Sequence, residues 1–178
     1  NLLAQFNQSK NSDVSPPPPI WMPSKNDLEK ALNNHELLLH FQPQVNLNTG
    51  LVNRVEALVR WHHPQHGLIY PDKFIPLAEQ EGLIDQLTQQ VIEMAIWEWQ
   101  AWWLDNKEMN LSINISANNI CNHDFPEYLI RLFHDNGLPA SQLSLELTES
   151  QLMMQWGTSL DTLTRLRMNG FSLSIDDF

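Results

Sequence analysis

Four stretches of the chain alternate polar and apolar residues with a period of two, the mark of a half-buried strand. Each carries an oxygen-bearing side chain on its polar set. Arg54 to Trp61 carries Glu56, Leu111 to Ser116 carries Asn114, Leu143 to Glu149 carries Glu146, and Phe171 to Asp177 carries Asp176 beside Asp177. Between the later stretches the period changes to 3.6. Phe125 to Asn136 reads as a helix stopped by Gly137, and Gly157 to Asn169 as a helix stopped by Gly170. Met109 to Ser116, Leu143 to Thr148 and Phe171 to Asp177 are the strands between them.

The earlier part follows another rhythm. Ser24 is an N-cap candidate with Asp27 three residues on, and Leu28, Ala31 and Leu32 give a short apolar stripe ending near Asn34. Leu37 to Val45 and Leu51 to Trp61 read as two strands joined through Asn48-Thr49-Gly50, a hairpin turn. Pro71 and Asp72 open a helix that runs through Phe74, Ile75, Leu77 and Ala78 and ends at Gly82. A long helix is expected from about Asp85 to Asp105. Its stripe is Leu87, Val91, Met94, Ala95, Glu98 and Trp102, widened by Trp97, Trp99 and Trp103, and its tryptophans read as core packing rather than a ligand platform.

Strand–helix alternation with short connections argues for a parallel sheet. An open nucleotide-binding sheet would carry a Gly-rich turn after its first strand, and none is present. Polar residues instead recur at the carboxyl ends of consecutive strands, where a (β/α)8 barrel keeps its active site. The expected class is therefore α/β, a TIM-like barrel of which this chain supplies about the first five strands. The chain has 178 residues, against roughly 250 for such a barrel.

Residues 1–22 break the pattern. They are mostly polar, and Pro16 to Pro19 favour a polyproline II spacer. We read 1–22 as a linker from an upstream regulatory domain and 23–178 as the N-terminal part of the barrel domain, both ends being cut from something longer. A net charge of −11 disfavours binding to duplex nucleic acid or anionic lipid. No apolar run is long enough to span a membrane. A single cysteine, Cys121, excludes an internal disulfide framework and is compatible with the cytoplasm.

Strand alternation then sorts the faces. Leu111, Ile113 and Ile115 point to the covering helices, and Ser112, Asn114 and Ser116 to the barrel interior. Glu146 shares the interior face with Ser144 and Thr148. An inward carboxylate is costly without a partner, either a metal ion or a buried Arg54 or Arg60. Glu56, Asn114, Glu146 and Asp176 together form a hard oxygen set suited to Mg²⁺ or Mn²⁺ rather than zinc. Asp177, pointing the other way, can reach a second ion or a loop once the strand ends. Two such ions about 4 Å apart clamp a phosphodiester. His62, His63 and His66 fit no common zinc spacing and read as loop-structural.

An ordered series of motifs now becomes specific: Phe41-Gln42-Pro43, Glu56-Ala57-Leu58 with Arg60-Trp61, His63-Pro64, Phe74-Ile75-Pro76 with Ala78-Glu79, Gly82-Leu83-Ile84, Asn114-Ile115-Ser116, Glu146-Leu147-Thr148-Glu149 and Asp176-Asp177-Phe178. From about residue 24 to the end the chain resembles the EAL domain family, phosphodiesterases that open cyclic di-GMP to linear pGpG in bacterial second-messenger signalling. The resemblance implies a barrel whose first strand is antiparallel. It implies that Glu56, Asn114, Glu146 and Asp176 bind a first metal and Asp177 a second, and that Gln42 and Arg60 hold the substrate. It assigns Glu149 to bracing the loop that begins at Asp176. Catalysis is expected of Glu56, Glu149 and Asp177. The family's later lysine and general-base glutamate have no counterpart before Phe178, so these residues alone are expected to be inactive. Cyclic di-GMP is the expected ligand and a homodimer the expected state of the complete protein. The alternatives are a sensor that binds cyclic di-GMP without cleaving it, and a scaffold with a vestigial site.

Overall fold

The computed structural model describes residues 21–105, 108–148 and 160–176, with Asp176 described in its backbone only. The elements run α1 (Lys25–Asn33), β1 (Leu37–Val45), β2 (Val52–His63), β3 (Gly67–Ile69), α2 (Pro71–Gln80), α3 (Ile84–Asp105), β4 (Asn110–Asn114), α4 (Ala117–Cys121), α5 (Phe125–Asp135), a 3-10 turn (Ala140–Gln142) and β5 (Leu143–Thr148). Helical residues 160–168, here α6, and β6 (Ser172–Asp176) follow. The expected linker before residue 21, the start of the expected helix at Gly157, and the residues Glu149, Asp177 and Phe178 lie outside the described residues.

All six strands form one sheet in the order β1-β2-β4-β5-β6, with β3 paired on β2. β1 and β2 are antiparallel, while β2, β4, β5 and β6 are parallel. The order never reverses along the chain. A doubly wound sheet has a point where it does, so the topology follows the barrel expectation. The antiparallel hairpin also stands as expected. Its turn is set by Asn46, whose side-chain oxygen accepts from the backbone N–H groups of Asn48 (2.9 Å) and Thr49 (3.2 Å), with Gly50 at φ +69°. Pro43 sits in β1, at one end of the strand order, where a missing N–H is tolerated.

One face of the sheet is packed by helices. Val55, Ala57 and Trp61 of β2, Leu111 and Ile113 of β4, and Leu143, Leu145 and Leu147 of β5 join α3 residues in a single core. Trp61, Trp99, Phe74, Phe133 and Phe171 are fully buried in it, and burying a side chain of this size contributes about 1.5–3 kcal/mol. In α3 the buried stripe is Leu87, Thr88, Val91, Ile92, Ala95, Ile96 and Trp99. Leu87, Val91 and Ala95 stand in it as expected, while Met94, Glu98 and Trp102 of the expected stripe lie outside it. Trp97 is 76 % exposed and Trp102 lies at the edge of the core against Phe41, with ring centroids 4.7 Å apart. Of the described α3 tryptophans only Trp99 is fully buried; its indole N–H donates to the Met109 carbonyl at 3.2 Å, and Trp103 donates to Gln142 at 2.5 Å.

Two small elements, β3 and α4, are additions to the sequence reading. β3 folds back on the end of β2 through the His63–Gly67 turn, in which His63 Nδ1 accepts from the Gln65 (3.0 Å) and His66 (3.2 Å) backbone N–H groups. This is the structural role expected of the histidine cluster. Trp21, read from the sequence as linker, packs into the same corner: its ring stacks on His66 at 3.9 Å and meets His63 edge-on at 4.9 Å. No helix among the described residues is long and apolar enough to cross a membrane.

Local chemistry sets the ends of α1. Ser24 Oγ donates to the Asp27 carboxylate at 2.7 Å, the Ser24 backbone N–H donates to it at 3.0 Å, and the Asp27 N–H returns a bond to Ser24 Oγ at 3.3 Å. At the other end Glu36 N–H reaches the Ala31 carbonyl at 3.1 Å, which forces His35 to φ +56°. An L side chain in that region costs roughly 1–2 kcal/mol, and glycine is the usual occupant. His35→Gly is therefore expected to raise unfolding free energy by about 0.5–1 kcal/mol in denaturant titration of the protein carrying this chain.

Ser24→Ala is expected to lower it by about 1 kcal/mol. The hydrogen bonds from the Ser24 side chain and backbone hold the Asp27 carboxyl below its ordinary value of 3.8. A depressed carboxylate stabilises the fold fully above that ordinary value and loses its contribution as pH falls through the lowered one. In Asp27→Asn this acid-side component should vanish from a stability–pH curve.

Candidate functional site

The site is built on the sheet face opposite the helices. In β2 the residues between Val55, Ala57 and Trp61 are Glu56, Leu58 and Arg60; in β4 they are Ser112 and Asn114, and in β5 Ser144, Glu146 and Thr148. The ladder places these side chains next to one another. Glu56 pairs with Ser112, Asn114 pairs with Glu146, Glu146 pairs with Ser174, and Thr148 pairs with Asp176.

The expected ligands therefore climb the ladder from Glu56 to Asp176. Asn114 is two residues beyond the partner of Glu56, Glu146 is level with Asn114, and Asp176 is two beyond the partner of Glu146. That is a climb of four residues over three strand-to-strand steps. In a barrel of this type, tilt staggers the register by about one residue per strand, so positions that climb in this way stay at one height at the mouth. The stagger turns four separate strand ends into one ring segment.

Side-chain contacts tie the near half of the set together. Asn114 Nδ2 donates to Glu56 Oε1 at 2.8 Å, which leaves the amide oxygen of Asn114 to face another partner. Gln44 Nε2 donates to the other carboxylate oxygen of Glu56 at 3.4 Å. Glu146 is buried, at 6 % exposure, whereas Asn114 is exposed. Glu56, Asn114 and Glu146 share the lining of a cavity of about 360 Å³ with Ser116 and Thr148 and with apolar groups such as Leu87.

This donor set is chemically suited to a hard divalent cation: carboxylate and amide oxygens, with no sulfur or imidazole among them. The described residues contribute two carboxylates and an amide, and among them no group of three His, Cys, Asp or Glu side chains gathers at one point. Asp176 brings its backbone to the end of β6, level with Thr148; its side chain, and both Asp177 and Glu149, lie outside the described residues.

The two substrate-binding candidates are placed differently. Gln42 is exposed and directly opposite Glu56 in the β1–β2 ladder. Arg60 is on the Glu56 face but is held apart from it: its guanidinium lies 5.1 Å from the Tyr70 ring centre and donates to the Val59 carbonyl at 2.8 Å. Its buried Nε has no hydrogen-bond partner among the described residues. The sequence reading did not single out Gln44, the residue that does bond Glu56; the only signal for it is that it lies two positions from Gln42 and so on the same face.

Comparison with known proteins agrees with this architecture. The sequence model of the EAL domain matches residues 25–178. The chain is 40% identical over 154 residues to the bifunctional diguanylate cyclase/cyclic di-GMP phosphodiesterase MucR of Pseudomonas aeruginosa, covering 85% of this chain and 22% of that protein. It is 40% identical over 153 residues to the cyclic di-GMP phosphodiesterase NbdA of the same organism, covering 85% of this chain and 20% of that protein. The oxygen sensor protein DosP of Escherichia coli is 37% identical over 152 residues, covering 85% of this chain and 19% of that protein. The chain thus spans about a fifth of the length of these relatives.

Among solved structures, the MucR phosphodiesterase in complex with c-di-GMP superposes with a TM-score of 0.80 at 40% identity, covering 86% of this chain and 62% of that one. The EAL enzyme Bd1971 in its cAMP- and cyclic-di-GMP-bound form gives a TM-score of 0.77 at 33% identity, covering 86% and 43%. With its ordered parallel strands, its antiparallel first hairpin and its acidic and amide side chains at the strand ends, the chain belongs to the EAL domain family and has the fold of its TIM-like barrel.

Proposed function

We propose that the protein carrying this chain is a metal-dependent phosphodiesterase that hydrolyses cyclic di-GMP to linear pGpG. The observation that supports this most is that Glu56, Asn114 and Glu146, on three adjacent parallel strands, line one cavity, with Asn114 bonded to Glu56, in a chain 40% identical to named cyclic di-GMP phosphodiesterases. In this reading Glu56, Asn114, Glu146 and Asp176 hold one Mg²⁺ or Mn²⁺ and Asp177 a second. Bound divalent ions supply Lewis acidity and a more acidic water. The chain's own residues do the placing. Asn114, with its N–H₂ on Glu56, would offer its amide oxygen to the cation, and Gln44 bonds the other oxygen of Glu56, so the carboxylate is held from two sides.

Gln42 and Arg60 are the groups for guanine or phosphate. The orphan Nε of Arg60 supports this, because a buried donor without a partner gains a hydrogen bond when an anion arrives. Glu149 braces the loop after Asp176. One water is consumed and one phosphodiester P–O bond breaks, which opens the ring and leaves a terminal phosphate on the dinucleotide. We further propose that residues 1–22 link this domain to an upstream regulatory domain, that the whole protein works as a cytoplasmic homodimer, and that these 178 residues by themselves do not turn over.

Two measurements check this reading on the full protein. With Mg²⁺ or Mn²⁺ and cyclic di-GMP, pGpG should accumulate, and Glu56→Ala should cut the rate by at least about 100-fold. Full turnover in Glu56→Ala would refute the assignment, and binding without cleavage by the unaltered protein would favour a sensor. In the metal-free protein, Asn114→Ala should lower stability by only about 1 kcal/mol, the worth of one exposed hydrogen bond, while weakening Mn²⁺ binding in calorimetric titration. A large stability loss with unchanged Mn²⁺ binding would make Asn114 structural instead.

A further inference from the structure

The turn that follows Asn114 is held by a polar network that the metal-site reading does not use. Ser116, two residues past Asn114, caps α4. Its hydroxyl donates to Glu79 Oε1 at 2.5 Å and its backbone N–H donates to Asn119 Oδ1 at 2.9 Å. The same Asn119 oxygen accepts from Thr88 Oγ1 at 3.0 Å, and Asn119 Nδ2 donates to Asp85 Oδ1 at 2.8 Å. The other Asp85 oxygen accepts from Asn122 Nδ2 at 2.9 Å. Asn119 is fully buried, and Thr88 and Ser116 are nearly so.

The arrangement is a clamp. α4 has five residues, too few for a helix to hold its own shape. Asp85, in the first turn of α3, grips it from Asn119 to its final cap at Asn122, while Glu79 at the end of α2 grips Ser116. The Asn119 side chain spends both donor and acceptor inside the clamp, so it has one orientation. Between clamp and site lies only Ile115, whose N–H is bonded to the Glu146 carbonyl at 2.9 Å. The backbone on both sides of the Asn114 amide is thereby fixed: by β4 before it, and by the clamp after it.

We propose that Asp85 and Asn119 are positioning residues for the oxygen-ligand set, holding the β4–α4 turn so that the Asn114 amide stays aimed between Glu56 and Glu146. This rests on the metal-site reading of the preceding subsection. Groups that orient ligands from behind commonly change metal affinity by about 10- to 100-fold.

The test is a reciprocal exchange in the full protein. Asn119→Asp sets a carboxylate against that of Asp85. The pair Asp85→Asn with Asn119→Asp restores one amide–carboxylate bond in the reverse sense and keeps the acceptors for Thr88, Ser116 and Asn122. Asp85→Asn alone removes one acceptor at unchanged volume, and serves if Asn119→Asp does not fold. The readouts are Mn²⁺ affinity by calorimetry, with no substrate present, and hydrogen exchange at the Ile115 and Ser116 amides.

Expected are a roughly tenfold or larger loss of Mn²⁺ affinity in the single variants, faster exchange at both amides, and recovery to within about threefold in the double variant. Faster exchange with Mn²⁺ affinity unchanged would make the clamp structural only and overturn the proposal. So would a double variant no better than the singles. If the unaltered protein fails to bind Mn²⁺, the metal reading itself falls, and this proposal with it.

Discussion

The stagger between parallel strands is what the rest of this site depends on. Hydrogen bonding fixes which residue of β4 lies beside Glu56, and which residue of β5 lies beside Asn114. Like-charge repulsion between the two acidic groups Glu56 and Glu146 opposes bringing them to one cavity. The ladder overrides that repulsion because it is underwritten by the apolar face behind it, where Ala57, Ile113, Leu145 and Leu147 are buried against the helices. The stability that assembles the site comes from the face of the sheet that has no part in the chemistry.

Much of this could be read from the sequence because the signals were local and periodic. The alternation around Glu56, Asn114 and Glu146 placed each on the interior face, and the structure puts them there. The capping box of α1 and the hairpin between β1 and β2 were legible for the same reason, since their partners are a few residues apart. Trp97 and Trp99 mark the limit. Both belong to one apolar-rich helix, and only the neighbours decide that Trp99 enters the core while Trp97 faces solvent. An apolar stripe so broad has no sharp centre to read.

Other features were hidden because their logic is non-local. Asp85 reads in sequence as an ordinary first-turn acid, and its bond to Asn119 spans 34 positions. Gln44 and Gln42 share a face and a residue type, and even the β1–β2 register, which sets Gln42 opposite Glu56, does not reveal that Gln44 is the one bonded to it. β3 and α4 are three and five residues long, below the length at which periodicity carries information. Trp21 lay in a stretch whose composition suggested a spacer, yet its ring lies against the domain's own Trp61 and histidine corner.

The ladder irregularity between Gln44 and Val45 has a consequence for how this domain tolerates length changes. It falls on the tip side of Gln44, so every pairing from Gln44–Arg54 to Leu37–Trp61 runs without a break. A residue gained or lost in the Asn46–Leu51 loop can be absorbed there, and Glu56 keeps its face. A residue gained or lost between Arg54 and Ala57 has no such outlet. It would turn Glu56 toward the helix-covered face and Ala57 away from it in a single step. Deletions and insertions in this hairpin should therefore sort into two populations, harmless at the tip and fatal in the strand, with little between.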